Sequence, residues 1–372
     1  MAESARTSQP VRRVRALDGV RGVAICLVLG AHYMSPVVHG GNIVGVQLFF
    51  VLSGFLITSL LLVEQARSGR ISLPMFYARR ALRLLPAFYA MVLVYLLAVA
   101  ALGDRLDTSP GTAAASVGLA SGYVFNFASA FHVRAAAELG PLWTLSVEEQ
   151  FYLLWPTLLS LFLARHASPK ALARGIAVAI AVLWIVRPVT WSLLEIRIYE
   201  YTSTWADSLL IGVLLAVLVH YGWAERMRLF AVLQTGRAQF VAWAVLGVAA
   251  LMELKTSALT YAVVLPVLGC AMATVVWGSV SAPNGTATRL LSTRLIVWIG
   301  VLSYSLYLYN LPVRYFLEAI IGDHGVVLLA LGVPLSFACA AASRVLVEEP
   351  ALRFKDRIAN RVPHREPALA ET

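Results

Sequence analysis

The chain has 372 residues, of which 59% are hydrophobic and only 13% charged, and its mean hydropathy is +0.76. A soluble domain of this size needs far more charge to cover its surface, so a soluble globular protein is excluded and several membrane-crossing helices are expected. The net charge of +10 does not point to nucleic acid, because the basic residues sit at the ends of apolar stretches, and Cys26, Cys270 and Cys339 have neither disulfide nor metal-ligand spacing, so no metal is expected.

Eleven apolar segments follow in chain order, at 18–37, 43–63, 84–103, 112–131, 146–164, 172–190, 206–221, 238–254, 259–279, 296–318 and 325–346. Arg12, Arg13 and Arg15 ahead of the first mimic a signal peptide. That stretch nevertheless carries Asp18, Arg21 and His32 and lacks a small-x-small cleavage site, so it reads as a retained span. With the N-terminus in the cytoplasm, the joint 35–42, free of Lys and Arg, falls outside. The next joint, with Arg67, Arg70, Arg79, Arg80 and Arg83, falls inside. If 112–131 crossed, the basic loops after 164, 221 and 279 would all lie outside; if it does not cross, all lie inside, together with the tail from Arg353 to Arg365.

The positive-inside rule therefore predicts an all-α, polytopic bundle of about ten transmembrane helices with both termini cytoplasmic. Segment 112–131, rich in Ala, Gly and Ser, is then re-entrant or packed on the outer face, which implies a cavity near residues 105–148. The expected organisation is a cytoplasmic tail at 1–15, one membrane domain over 16–350 and a basic tail at 351–372.

Within these segments, Arg21 and His32 are eleven residues apart, which brings them back to within about 20° on one helix face, with a rise of about 16 Å. This predicts Arg21 near the cytoplasmic surface and His32 at mid-membrane. An ionisable pair in a span is costly and usually faces a cavity; the imidazole would serve as a base or as a hydrogen-bonded packing group. Arg79, Arg80 and Arg83 fall within about one helical turn. They fit either positive-inside anchoring or a grip on the phosphates of a cytoplasmic cosubstrate.

The densest motif runs from Pro141 to Pro156. Ser146-x-x-Glu149 has the capping-box pattern, leaving Glu149 open between a helix cap and a site, whereas Glu148 has no such structural duty and is expected to pair with His32. Asp207 fits a first-turn acid or a functional group. The cluster Ser303–Pro312, with Tyr304, Tyr307 and Asn310, fits either an acceptor path or an aromatic interface belt. Glu348 and Glu349 read as a helix stop paired locally with Arg344 or Arg353. A transporter or flippase using Arg21, His32 and Glu148 as a proton or substrate path is the rival reading, weakened by the lack of a visible internal repeat.

At this point the residues resemble the membrane acyltransferase-3 family. Leu17-Asp-Gly-Val-Arg-Gly-Val-Ala24 followed by His32 looks like its opening span, and Gly45-Val-Gln-Leu-Phe-Phe-Val-Leu-Ser-Gly-Phe-Leu-Ile57 like its second. The arginines at 79, 80 and 83, Trp143–Tyr152, Ala206–Gly212, Ser303–Leu311 and Val347-Glu-Glu-Pro350 complete a likeness over roughly residues 15–355. The resemblance implies O-acyl transfer from cytoplasmic acyl-CoA, acetyl-CoA by default, with no permanently bound cofactor. The implied acceptor is a carbohydrate hydroxyl, of an envelope glycan or glycolipid first and of a glycosylated metabolite second.

In that reading His32 is the base, completed by Glu148 and Glu149, while Arg21, Arg79, Arg80 and Arg83 hold the donor. Asp18, Ser53, Trp143, Asp207, Tyr304, Tyr307 and Asn310 are the candidates for contact with substrates. The resemblance implies a multi-pass protein of the bacterial inner membrane, surrounded by lipid. The family often has His where Asn310 stands and Arg where Trp205 stands. With no esterase-like extension in the sequence, the membrane domain is expected to work alone or with a partner.

Overall fold

The computed structural model describes residues 14–353 except 36, 167, 194–200 and 256, so the expected tails lie almost wholly outside the described residues. The described residues are helical throughout, with no strand among them. The long helices are α1 (Arg15–Tyr33), α2 (Gly41–Ser68), α3 (Leu73–Leu102), α6 (Leu142–Ala164), α7 (Pro169–Leu193) and α8 (Thr202–His220), followed by α10 (Gly236–Leu251), α11 (Leu265–Ser281), α13 (Arg294–Ile321) and α14 (Gly325–Ser343). Short helices α4 (Pro110–Ser121), α5 (Phe125–Ala130), α9 (Arg228–Leu233) and α12 (Thr286–Leu291) join them.

Eight helices of the described residues are long and apolar enough to cross a membrane. Two others make up the ten long helices without meeting that measure. Helix α6 has 23 residues but is diluted by Glu148, Glu149 and Gln150, and α10 is apolar but only 16 residues long. Segment 112–131 does break up as anticipated. Its longer piece, α4, has 12 residues and so spans about 18 Å, too short for a hydrocarbon core of about 30 Å. Tyr123, at φ 54°, turns the chain between α4 and α5. Gln150 then ties this cap to the bundle by donating to the Tyr123 carbonyl (2.8 Å) and to Asn126 Oδ1 (2.9 Å).

Lipid tails are as apolar as leucine, so the helices are held by close van der Waals approach rather than by burial from water. The glycines show where. Helix α2 packs most extensively on α8, and α1 on α13. A Cβ on Gly54 would overlap the Leu209 carbonyl, and one on Gly212 the Val51 carbonyl. The same reciprocity holds between Gly22 and the Ile296 carbonyl and between Gly300 and the Asp18 carbonyl. These contacts leave no room for relaxation, because the neighbour in each case is backbone. Gly212→Val is therefore expected to cost about 1–3 kcal/mol or more and to lower the unfolding temperature of the detergent-purified protein. An unchanged melting curve would show that the α2–α8 spacing is not fixed by these glycines. The lipid face is supplied by exposed residues such as Leu97, Leu153, Ile185, Phe240 and Val326.

Candidate active site

Two cavities open from opposite ends of the bundle. The larger, of about 2020 Å³, is lined at its base by Asp18, Arg21, Ser53, Arg83, Glu148 and Tyr304. Its mouth carries Arg67, Lys170, Arg226 and Arg344 from four inter-helix joints and helix ends. Val14 and Leu352 line the same cavity, so the chain enters and leaves the bundle at one end. The smaller cavity, of about 560 Å³, lies among residues 125–143 and the far ends of α1, α2 and α13, and contains His32. A cavity beside residues 105–148 was the expectation from the non-crossing segment.

Arg21 and His32 do share a face of α1, since both meet α13. Arg21 Nε donates to Ser303 Oγ at 3.2 Å, and His32 Nδ1 bonds Asn310 Oδ1. Their positions along α1 follow from where it begins. Helix α1 starts at Arg15, so Arg21 is already about 9 Å along it, and His32, next to the final Tyr33, is about 25 Å along. The rise of about 16 Å between them therefore puts one residue in each cavity rather than both in one. The cavities share only two lining residues, Val46 and Tyr307. Tyr307 Oη is held there by the Pro141 carbonyl (3.0 Å) and by Thr144 Oγ1 (2.6 Å), which makes a hydrogen-bonded partition.

Asn310 fixes the chemistry of the His32 ring. Its Nδ2 donates to the carbonyls of Leu306 (2.7 Å) and Tyr307 (2.9 Å), so Oδ1 must be the atom that faces His32. An amide oxygen only accepts, so Nδ1 carries the hydrogen and neutral His32 keeps its lone pair on Nε2. Tyr33 Oη steadies the same turn through the Asn310 carbonyl at 2.9 Å. The expected pairing of Glu148 with His32 is absent. Glu148 lies in the large cavity and accepts from Ser53 Oγ and, at 3.1 Å, from Tyr152 Oη, because α6 aims it toward the middle of α2.

Glu149 resolves against the cap. Helix α6 begins at Leu142, so Ser146 is already inside it and bonds back to the Leu142 carbonyl. Glu149 instead pairs with Arg80 at 3.3 Å, and the Arg80 guanidinium also lies 3.2 Å from the Tyr152 ring centroid. The three arginines thus divide. Arg79 is spent on Glu64 at 3.1 Å and lines neither cavity, Arg80 is partly neutralised, and Arg83 presents an exposed side chain to the large cavity with no ion pair to a described residue. Sequence spacing could not separate them, because the partners are 15 and 69 residues away. The mouth residues Arg67, Lys170, Arg226 and Arg344 were missed as site residues for the same reason.

Tyr304 closes one wall of the large cavity by donating to the Leu84 carbonyl at 2.9 Å. Trp143 lines the small cavity and packs against Phe50 and Trp205, with ring centroids 6.5 and 5.8 Å away. Trp205 thus fills, with its ring, the place where the family often has Arg. Asp207 lies in the second turn of α8, not the first, and lines neither cavity; it is paired with Arg187. Glu348 and Glu349 do meet Arg344, at 3.1 and 3.7 Å.

The family described as an acyltransferase domain matches residues 14–346. The peptidoglycan O-acetyltransferase OatA of Listeria monocytogenes is 31% identical over 83% of this chain and 50% of its own length. A putative peptidoglycan O-acetyltransferase of Bacillus subtilis, YrhL, is 32% identical over 82% of this chain and 49% of its own. The O-acetyltransferase OatA of Staphylococcus aureus is 27% identical over 91% and 57%. The chain therefore spans about half the length of the curated relatives it matches. No solved structure matches it.

Proposed function

The chain belongs to this acyltransferase family, and on that premise we propose that it moves an acetyl group from cytoplasmic acetyl-CoA to a hydroxyl of a cell-envelope glycan, with His32 as general base. The observation that carries the reading is the pair of cavities meeting at Tyr307, one rich in cations and one holding His32. Relatives named for peptidoglycan O-acetylation support a glycan acceptor.

The large cavity faces the cytoplasm, since the basic joints gather at its mouth. Arg21 and Arg83, with the mouth residues Arg67, Lys170 and Arg226, form the grip for the phosphates of CoA, whereas Arg79 and Arg80 of the expected trio are taken up by Glu64 and Glu149. Guanidinium forks suit phosphate oxygens, and a water-filled cleft keeps such charges solvated until the donor arrives. The thioester then passes the Tyr307 partition once its bonds to Thr144 and Pro141 part. The acceptor enters from the outer cavity. His32 Nε2 takes the hydroxyl proton as the oxygen attacks the thioester carbonyl, and the proton passes to the departing CoA sulfur. Glu148 and Ser53 act on the donor side of the partition.

Membranes supplied with labelled acetyl-CoA and envelope glycan test this reading. Arg83→Ala is expected to raise the donor KM about tenfold and to flatten its salt dependence, because a charge-assisted contact is worth roughly 1.5–3 kcal/mol. No labelled glycan from the parent protein would overturn the function. A donor KM indifferent to Arg83 would overturn this donor site.

A further inference from the structure

The outer cavity has an electrostatic bias that the transfer reaction itself does not require. No Asp or Glu is among its lining residues, whereas Arg134, His132 and His32 are. Glu138 is the nearest carboxylate in sequence to Arg134, but it is buried and turned to Thr108, which donates to it at 3.0 Å. Arg134 is exposed and makes no ion pair with a described residue. A second guanidinium, that of Arg314, lies one helical turn beyond Asn310 on α13, although it shares its charge with Glu318 at 3.8 Å.

Neutral sugar hydroxyls need hydrogen-bond donors and acceptors in balance, and the side chains of Asn42 and Ser129 line the cavity for that purpose. A guanidinium donates to the hydroxyls of a neutral ring, but its bonds to a carboxylate or phosphate are charge-assisted, forked and roughly twice as strong. Its place on the wall of the His32 cavity lets one ligand span both groups. The volume of about 560 Å³ lies within the range that encloses a small ligand.

We propose that the outer cavity selects an acceptor carrying an anionic group, a carboxylate or a phosphate, next to the hydroxyl to be acylated, and that Arg134 is the residue that binds it. Arg134 is thus a specificity-determining residue that does no chemistry. The proposal rests on the acyl-transfer reading only for the fate of that hydroxyl, because binding of the anionic sugar needs no donor.

The test uses the full chain purified in detergent and four probes: methyl N-acetylmuramic acid, its uncharged methylamide, glucose 1-phosphate and methyl glucoside. Binding is measured by titration without donor, and acetyl transfer is measured on the same preparations with labelled acetyl-CoA. The expected result is that one anionic probe binds about 10- to 100-fold more tightly than its neutral partner, and that Arg134→Gln removes the difference. Which pair shows it tells carboxylate from phosphate. In the transfer assay the loss in Arg134→Gln falls on the acceptor KM rather than on kcat, and Arg134→Lys recovers part of it. Donor binding to the variant verifies that it is folded. Equal affinity for charged and neutral partners, or a preference that survives Arg134→Gln, overturns the proposal. Charge-selective binding without acetyl transfer upholds the anion site and overturns the acyltransferase reading instead.

Discussion

Replacing His32 by Ala is expected to lower glycan acetylation about 100- to 10,000-fold, the usual worth of a positioned general base, with acetyl-CoA affinity unchanged. The split follows from the geometry. His32 lines only the outer cavity, while the arginines proposed to hold the donor line the other, so its loss is expected to remove the proposed base without disturbing them. Donor affinity read on the same membranes separates this from misfolding. Undiminished labelling of acceptor by His32→Ala would end the base role. A second variant tests the orientation argument. Asn310→Ala frees the ring to rotate and to place its hydrogen on either nitrogen, and is expected to cost about tenfold, close to one hydrogen bond. Asn310→His, which can still accept from Nδ1–H, should retain more activity than Asn310→Ala. If the two substitutions are equally damaging, the tautomer is set by something other than this contact.

The sequence made some parts of this site legible and hid others, for identifiable reasons. Helical periodicity is a local property, so the shared face of Arg21 and His32 could be computed from eleven residues and is met by Ser303 and Asn310 on one helix. Position along the helix could not, because it depends on where α1 begins, and the start at Arg15 leaves His32 beside the final residue, Tyr33. The ten long helices and the non-crossing segment followed from apolar length and loop charge, both additive along the chain. Pairings between distant helices are not additive. Glu148, without a capping duty, is expected to pair with His32, yet it meets Ser53 of α2, 95 residues away, together with Tyr152 one turn along α6. The Tyr307 partition was likewise invisible, since it is defined by Thr144 and Pro141, more than 160 residues away. The reciprocal glycines were visible as motif letters, and only the packing of α2 on α8 and α1 on α13 gives them a cause.

Asp207→Ala is expected to be the most destabilising single change in the bundle, costing about 3–5 kcal/mol, although Asp207 touches neither cavity. Its side chain is fully buried, and that of Arg187 is 2% exposed. The carboxylate is ion-paired with Arg187 and accepts, at 2.8 Å, from Trp184 Nε1, while Arg187 Nη1 donates to the Tyr261 carbonyl at 3.4 Å. Arg187 therefore ties α7, which is otherwise mostly lipid-facing, to α8 through the ion pair and to the π-helical turn Thr260–Val264 ahead of α11 through the hydrogen bond. Removing the acid leaves a guanidinium without its counter-charge in an apolar interior, and the cost is that of the orphaned charge rather than of the lost attraction. The double variant Arg187→Met/Asp207→Leu removes both charges and should recover most of the loss. Thermal unfolding of the two proteins, with donor binding as the check on folding, decides the matter. If Asp207→Ala melts like the parent, the pair is not what holds α7. If the double variant is stable yet cannot acetylate glycan, Asp207 has a duty in catalysis that its position outside both cavities does not suggest.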